Sequence, residues 1–355
     1  MGRRHVISLV PGDGIGAEVI PEGVRVLDAV ANQHGFGLTY KQFPYSCAYH
    51  REHGRMMPGD GLERLSQCDA IFLGAVGFPG VPDHVSLWGL LIPIRRHFEQ
   101  YVNVRPVRLL PGIRSPLAGR TARDIDFVVV RENNEGEYSE IGGRLYAGTD
   151  QETVSQLAVF TRRGVDRVLR YAFELAASRK RRHLTSATKS NGIVHTMPFW
   201  DERFAEMALR FPGVRTSRFH IDILTAHFVL HPDWFDVVVG SNLFGDILSD
   251  LGPAVAGSIG VAPSANLNPE RRFPSMFEPV HGSAPDIAGR EVANPIAAFW
   301  TAAMMLGFLG EEEAEARLMA AIEAVTGAGR VRTPDLGGNA RTRDVTGAVI
   351  DALGT

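Results

Sequence analysis

Short runs of apolar, largely β-branched residues alternate along the chain with longer segments in which apolar residues recur every three or four positions. The segment 161–178 has this longer pattern and predicts an amphipathic helix with Thr161 as its N-cap. The short runs are typical of buried strands: HVISLV (5–10), DAIFLG (69–74), DFVVVR (126–131), HLTSAT (183–188) and FDVVVG (235–240). This alternation predicts an α/β protein.

The C-terminal part of the chain is mainly helical in pattern. Its apolar segments are PIAAFWTAAMMLGFL (295–309), EAEARLMAAIEAV (313–325) and TRDVTGAVIDAL (342–353). We find no internal repeat and no low-complexity linker, so composition alone does not locate a domain boundary.

Composition excludes several classes of function. The 355 residues are 45% hydrophobic and 22% charged, which is ordinary for a globular protein, and the formal net charge of −3 does not favour nucleic-acid binding. Cys47 and Cys68 lack the spacing of metal ligands, which fits a reducing compartment. Neither a signal peptide nor an apolar run of about 18 residues is present. We therefore expect a cytoplasmic protein that binds neither nucleic acid nor membranes.

The glycine-rich loop PGDGIGA (11–17) follows the first predicted strand and opens a helix. Gly12, Gly14 and Ala17 fit the G-x-G-x-x-A pattern of a pyrophosphate-binding loop. That motif also needs an acidic residue near the end of the second strand, and LTYKQFPYS (38–46) supplies none. A tight turn between strand and helix near a ligand is the alternative interpretation.

Two carboxylates, Asp246 and Asp250, lie four residues apart in the otherwise apolar stretch SNLFGDILSD (241–250). On a helix this spacing places both on one face, where they repel each other unless a cation lies between them. Together with Asp222 they form a set of three oxygen ligands without histidine or cysteine, which suits Mg²⁺ or Mn²⁺ and argues against zinc. A helix N-cap is the alternative role for Asp222.

Three arginines, Arg95, Arg105 and Arg131, lie beside predicted buried segments. Burying them is costly unless they share anions, and guanidinium groups bind carboxylates in a bidentate manner. A di- or tricarboxylate substrate is therefore a natural partner. Tyr138 and Lys189 are either surface hydrogen-bonding groups or proton-transfer groups, because a half-buried lysine with a lowered pKa can act as a general base.

With these segments in view, the chain resembles the β-decarboxylating dehydrogenases, which include isopropylmalate and isocitrate dehydrogenases. The resemblance runs from PGDGIGAEV (11–19) to TPDLGG (333–338). The densest matches are IRR (94–96), VRP (104–106), VRENNEGEY (130–138), TKSN (188–191), SNLFGDILSDL (241–251), FEPVHGSAPDIAG (277–289) and ANP (293–295). Several long motifs that occur in the same order as in this family make the resemblance highly specific.

The resemblance implies a fold and roles for named residues. The expected fold is the two-domain α/β fold of this family, a mixed sheet flanked by helices and not a Rossmann fold, so the glycine loop would not bind pyrophosphate. Residues 1–100 and 255–355 would form a large domain on the cofactor side, and 101–254 a small domain on the metal and dimer side. The implied roles are substrate binding by Arg95, Arg105 and Arg131; proton transfer by Tyr138 and Lys189; metal binding by Asp222, Asp246 and Asp250; and cofactor binding by Glu278, His281, Gly282, Ser283, Ala284, Asp286 and Asn294.

The resemblance further implies a homodimer in which Lys189 and Asp222 reach the site of the other subunit. The implied cofactors are a nicotinamide dinucleotide and Mg²⁺ or Mn²⁺. A carboxylate at Asp286 accepts a hydrogen bond from a ribose 2′-hydroxyl but repels a 2′-phosphate, so we expect NAD⁺ rather than NADP⁺.

The implied activity is oxidation and β-decarboxylation of a small 2-hydroxy dicarboxylic acid. PDHVSLWG (82–89) and APSANLNPERRFPSMFEPVHGS (262–283) look most like the tartrate and D-malate branch of the family. Trp88 replaces the glutamate of isopropylmalate enzymes, and a large ring near C3 of the substrate would suit hydrogen or hydroxyl there. The alternatives are a 3-isopropylmalate dehydrogenase and a regulatory, non-catalytic paralogue. Ala17 and Asn134 depart from the family pattern, and we expect no chemical role for either.

Overall fold

The computed structural model describes residues 3–354, and all five predicted runs form strands. The strands of this part of the chain are β1 (Arg4–Gly12), β2 (Gly37–Gln42), β3 (Ala70–Ala75), β4 (Val102–Arg108), β5 (Asp126–Glu132), β6 (Gly142–Leu145), β7 (Thr153–Gln156), β8 (His183–Thr188), β9 (Arg215–His220), β10 (Val237–Gly240), β11 (Pro263–Leu267) and β12 (Ser275–Pro279). The strands that the apolar pattern did not predict include both edges of the main sheet, β2 and β9, which are rich in polar residues.

The helices of this part of the chain are α1 (Gly16–His34), α2 (Cys47–His53), α3 (Gly61–Ser66), α4 (Asp83–Ser86), α5 (Ile92–His97), α6 (Arg162–Ser178), α7 (Thr196–Ala208), α8 (Ile221–Leu230), α9 (Asn242–Val255), α10 (Ile296–Phe308), α11 (Glu312–Ala328) and α12 (Thr342–Leu353). The predicted helical segments form α1, α6, α10, α11 and α12, and the other helices were not predicted from the sequence. A single π-helical turn, Leu87–Leu91, joins α4 to α5. The predicted cap of α6 is confirmed, because Thr161 Oγ1 accepts a hydrogen bond from Gly164 N at 3.0 Å.

Ten strands form one mixed sheet in the order β2-β1-β3-β12-β11-β4-β5-β10-β8-β9. β11 is antiparallel to both of its neighbours, and β4 is antiparallel to β5, whereas the remaining pairs are parallel. A Rossmann sheet is mostly parallel, so the expectation of a mixed sheet outside that class is confirmed.

The main hydrophobic core lies between the sheet and α1, α6, α10, α11 and α12. A second cluster lies beneath α8 and α9 and includes Phe127, Phe228 and Phe235, whose rings contact one another. β5, β8 and β10 are parallel, so their carboxyl ends meet at one edge of the sheet. Arg131, Lys189 and Ser241 lie at or directly after these ends.

β6 and β7 form a separate two-stranded hairpin away from the main sheet. Its residues are exposed, including the apolar side chains of Leu145, Tyr146 and Val154. A lone hairpin is only marginally stable in water, and exposed apolar groups on it indicate a surface that packs against something else. No helix within the described residues is both long and apolar enough to cross a membrane.

Candidate active site

Helix α9 begins directly after β10 and carries the two carboxylates on one face, as the spacing predicts. Gly245 is required here because a Cβ at this position would collide with the side chain of Arg131. The absence of a side chain lets α9 lie close to β5. Asp246 is therefore brought against an arginine of the neighbouring strand, and Asp250 lies one helical turn further on.

The cations facing these carboxylates within the chain are two of the three arginines. Arg131 is 3% exposed and contacts Asp246, and its Nη2 donates to Asn242 Oδ1 at 2.7 Å. Arg105 Nη1 donates to Asp250 at 2.9 Å, and its Nη2 lies 3.8 Å from Asp246. Burial alone raises the pKa of Asp246, but Arg131 and Arg105 outweigh it, so the net pKa of that carboxyl is lowered.

Tyr138 belongs to the same cluster, since its hydroxyl donates to Asp246 Oδ2 at 2.8 Å. The guanidinium of Arg131 lies over its ring, 5.4 Å from the centroid. Burial and the nearby carboxylate together raise the pKa of Tyr138 to about 12. The phenol is therefore protonated at neutral pH, which is the form that a proton donor needs.

The third arginine, Arg95, links this cluster to the opposite part of the sheet. Its Nη2 donates to Glu278 Oε1 on β12 at 2.9 Å, and Glu278 also accepts from Asn266 Nδ2 at 2.7 Å. Arg95 is 6% exposed, and its Nε has no hydrogen-bond partner within residues 3–354. A buried donor without a partner is costly, and the carboxylate of an anionic ligand would satisfy it.

Lys189 and Asp222 pair with each other and not with the cluster around Asp246. Lys189 Nζ donates to Asp222 Oδ2 at 2.7 Å, and this bond is the main reason that the pKa of Asp222 is lowered. Asp222 is the second residue of α8, whose N-cap is His220, so helix capping does not explain the aspartate.

The donor chemistry around Asp246 and Asp250 fits a hard divalent cation, because both are carboxylates and no soft ligand is near. Within residues 3–354 no three histidine, cysteine, aspartate or glutamate side chains of one chain converge as a metal site. The contribution of Asp222 from a second subunit, expected from the sequence, stays a prediction.

A cavity of about 390 Å³ lies between α1, α10 and the segment after β12. His281, Ala284 and Asn294 line it, as the sequence predicts for a cofactor site, together with Ile15 and Asp335. Apolar walls with a few polar groups are typical of a pocket for a nucleotide base. Gly282, Ser283 and Asp286 are not among the lining residues but belong to the segment that forms its rim.

The glycine-rich loop 11–17 supports this segment and does not form an anion cradle of its own. A Cβ on Gly14, whose φ is +55°, would collide with Ser283 O, and Ile15 N donates to that same oxygen at 2.8 Å. The carboxylate of Asp13 accepts from Cys47 N, Ala48 N and Gly77 N. The loop therefore forms the tight turn between β1 and α1, and Ile15 is its residue that lines the cavity.

The comparisons with known proteins agree with this arrangement. Residues 6–352 match the sequence profile of the isocitrate/isopropylmalate dehydrogenase family. The chain belongs to this family. It is 61% identical to the D-malate dehydrogenase (decarboxylating) of Escherichia coli K12, over 97% of each chain. It is 59% identical to the tartrate dehydrogenase/decarboxylase of Pseudomonas putida, over 98% of this chain and 97% of the relative.

A solved structure shows the same fold. The isocitrate dehydrogenase of Methylococcus capsulatus superposes with a TM-score of 0.89 at 32% identity, covering 99% of this chain and 100% of that one. The predicted isocitrate/isopropylmalate dehydrogenase fold is therefore confirmed.

Several residues of this dehydrogenase site were missed in the sequence. Asn242 accepts a hydrogen bond from Arg131, Asp335 lines the cavity of about 390 Å³, and Asn134 borders a small cavity beside Arg95 and Tyr138. Asn134 had been expected to lack a role. Trp88 lies beneath the guanidinium of Arg96, which is 5.0 Å from the ring centroid, and its expected place near C3 of the substrate stays a prediction. Neutral amides carry no charge pattern, so only the fold could have identified them.

Glu132, next to Arg131 in this dehydrogenase, yields a prediction about stability. It is 1% exposed and accepts hydrogen bonds from Asn134 N and Glu135 N at 3.0 and 2.9 Å. Burial raises its pKa to about 7. The folded state therefore keeps this proton while the unfolded state loses it, so this group lowers stability as pH rises from about 4.5 to about 7.

Glu132→Gln removes that titration. Relative to the unchanged chain, we expect the variant to gain about 2 kcal/mol in free energy of unfolding between pH 5.5 and pH 8.5. Urea unfolding of both proteins at the two pH values measures the difference. A gain that is the same at both pH values would mean that Glu132 titrates normally in the folded protein.

Proposed function

We propose that this protein is an NAD-dependent and divalent-metal-dependent enzyme that oxidises and β-decarboxylates a small 2-hydroxy dicarboxylic acid, D-malate or tartrate. One observation carries the proposal: Asp246 is contacted by Arg131 and by the hydroxyl of Tyr138, with Arg105 beside it. This cluster combines anion-binding groups, a proton donor and a metal ligand. The named relatives at 59–61% identity support the substrate class.

The side chains of this chain suit each step of the reaction. When bound, a divalent metal ion would supply Lewis acidity at the C2 oxygen, and NAD⁺ would supply the hydride acceptor. Arg95, Arg105 and Arg131 bind the substrate carboxylates. Lys189 of the partner subunit takes the proton of the C2 hydroxyl, the bond from C3 to the departing carboxylate breaks to release CO₂, and Tyr138 delivers a proton to C3.

Metal ligation falls to Asp246 and Asp250 of one subunit and Asp222 of the other. The cofactor is bound by Glu278, the segment 281–286 and Asn294. Asp335 adds a second carboxylate to the one at Asp286. Two carboxylates disfavour a 2′-phosphate, so NAD⁺ is the expected cofactor rather than NADP⁺.

Cys47 and Cys68 are both free and buried, and the cytoplasmic location expected from the sequence stays a prediction.

We also propose a division into two domains, with residues 1–100 and 255–355 in one and 101–254 in the other. Its support is the strand order, in which the strands of the first set (β1, β2, β3, β11 and β12) and those of the second (β4, β5, β8, β9 and β10) occupy opposite halves of the sheet. The arginines and carboxylates of the site then lie where the two halves meet.

The proposed active unit is a homodimer. Its support is an exposed apolar face on α8 and α9, where Ile223, Val229, Leu230 and Ile247 are 39–58% exposed. Ile223 and Ile247 directly follow Asp222 and Asp246 in the sequence. Burying such a face against a second copy would bring Lys189 and Asp222 to the neighbouring cluster.

Leu230→Glu tests the dimer. We expect the mass in solution to fall from twice 38.8 kDa to a single chain, with loss of activity, because a charge enters the apolar interface. Light scattering after gel filtration measures the mass. Leu209→Glu is the matched control, since Leu209 is 83% exposed at the end of α7, which packs on α6. A dimeric and active Leu230→Glu protein would contradict the proposed interface.

The function itself is tested by mixing the enzyme with D-malate, NAD⁺ and Mn²⁺. We expect NADH absorbance with equal release of CO₂, loss of both after chelation of the metal, and little activity with NADP⁺. NADH without CO₂ from D-malate would refute decarboxylation, and absence of both would favour the regulatory alternative.

A further inference from the structure

A small cavity lies between α5 and the segment that follows β5, inside the cluster described above. Its volume is about 10 Å³, and Arg95 and Tyr138 form part of its wall. A space of this size holds about one water molecule or one hydroxyl group. Three amide side chains, Asn133, Asn134 and Asn242, line it together with Ile92 and Arg96, so several polar groups face this small space.

Asn133 has an acceptor oxygen that nothing in the described chain satisfies. The residue is 5% exposed, and its Nδ2 donates to Gln100 O at 3.0 Å and to Asn266 Oδ1 at 2.9 Å. These two acceptors fix which end of the amide is nitrogen. Its Oδ1 has no hydrogen-bond partner among residues 3–354. A buried acceptor of this kind costs free energy until a donor reaches it.

The position of the cavity identifies the atom that it adjoins. In the proposed reaction Tyr138 protonates C3 of the substrate, so the space beside Tyr138 and Arg95 adjoins C3. Trp88 does not line this space, because its ring lies against Arg96. The substituent on C3 would therefore meet the amide side chains of this cavity and not the ring of Trp88.

We propose that this cavity is a subsite for a hydroxyl group on C3, which donates a hydrogen bond to Asn133 Oδ1. The inference rests on the proposed function and adds a ligand class to it: 2,3-dihydroxy dicarboxylic acids of the tartrate type. D-malate carries only hydrogen at C3, so with this substrate the oxygen of Asn133 accepts a hydrogen bond from water instead. An isopropyl group is larger than the cavity and cannot donate a hydrogen bond, so 3-isopropylmalate is excluded.

The orientation of Asn134 agrees with a subsite that binds hydroxyl groups. Its amide satisfies its surroundings when Nδ2 donates to Arg95 O at 3.2 Å and to Asn133 O at 3.0 Å. In that orientation the side-chain amide of Asn134 is held by the backbone carbonyl oxygens of Arg95 and Asn133. The cavity is thereby pre-organised, which reduces the ordering cost of binding a small polar group.

The experiment compares Asn133→Ala with the unchanged enzyme on two substrates, D-malate and whichever tartrate stereoisomer has the highest kcat/KM. We expect kcat/KM for tartrate, divided by that for D-malate, to fall about tenfold in Asn133→Ala, because only tartrate loses a hydrogen bond. Asn103→Ala is the matched control. Its Nδ2 donates to Asn266 Oδ1 at 2.9 Å, but it does not line the cavity, so the ratio should stay constant.

A loss that is equal for both substrates would overturn the inference, since it would show that Asn133 only supports the fold. Activity of Asn133→Ala on D-malate shows that the variant is folded. Should it fail to fold, titration calorimetry of the unchanged enzyme with Mg²⁺ decides: tartrate must bind more tightly than D-malate, and 3-isopropylmalate least. The reverse order refutes the subsite. Turnover of D-malate but of no tartrate isomer overturns this inference alone, whereas no turnover of either overturns the proposed function.

Discussion

Asp246→Asn is expected to reduce kcat/KM for D-malate by more than about a hundredfold and to abolish tight binding of Mn²⁺. Loss of a partner outside the ligand shell already costs metal sites about 10- to 100-fold, so loss of a ligand charge should cost more. The same carboxylate accepts a hydrogen bond from the hydroxyl of Tyr138 at 2.8 Å, and it contacts Arg131. Its removal therefore disturbs the metal ligand, the anion-binding arginine and the proposed proton donor together.

Two measurements separate these effects. Titration of Mn²⁺ by electron paramagnetic resonance reports the metal, and urea unfolding reports the fold. Because Arg131 is 3% exposed, loss of its carboxylate partner should also destabilise the protein by about 3 kcal/mol. Asp233→Asn serves as the control, since Asp233 pairs with Arg120 at 2.9 Å on a 41% exposed side chain. If Asp246→Asn kept the metal dependence of the unchanged enzyme, the metal role of α9 would be refuted.

The second large effect concerns the proposed sharing of the site between subunits. Asp222→Asn and Asp246→Asn should each be inactive alone, yet a mixture refolded together should recover about a quarter of the unchanged activity. Half of the dimers in such a mixture contain one chain of each variant. In those dimers one of the two sites combines the intact Asp246 of one chain with the intact Asp222 of the other.

The same experiment has a clear opposite outcome. Recovery requires that Asp222 serves the site of the other subunit, and within one chain its carboxylate accepts a hydrogen bond from Lys189 Nζ at 2.7 Å. If all three carboxylates acted within a single chain, mixing would restore nothing. A mixture of Asp246→Asn with Asp250→Asn is the internal control, because both substitutions lie on the same α9 and no combination completes a site.

Charge changes the interpretation of the two stacked carboxylates. From the sequence, their repulsion called for a cation, and a divalent metal was the expected answer. In the structure Arg131 and Arg105 already face Asp246 and Asp250. A metal ion would bind the carboxylates of these ion pairs, and a dicarboxylate would bind the arginines. Either ligand must therefore break the same ion pairs. We expect each to bind more tightly in the presence of the other.

The sequence alone determined five of the strands and the long amphipathic helices, because hydrophobic periodicity is a local property, but it did not identify the buried strands β4, β11 and β12. It also identified charged residues in apolar surroundings, such as Arg131 and Asp246, since burying an unpaired charge is too costly to occur without a purpose. The long motifs placed the chain in its family, which the comparisons confirm.

Only the tertiary structure decided which of these residues meet. It joined Arg95 to Glu278, 183 residues away in the chain, and it separated the pair of Lys189 and Asp222 from Asp246. It showed that the glycine loop contacts Ser283. It also showed that the buried side-chain oxygen of Asn133 has no hydrogen-bond partner among residues 3–354. Neutral amides and backbone contacts have no signature in sequence, because their energy depends on partners that only the folded chain brings within about 3 Å.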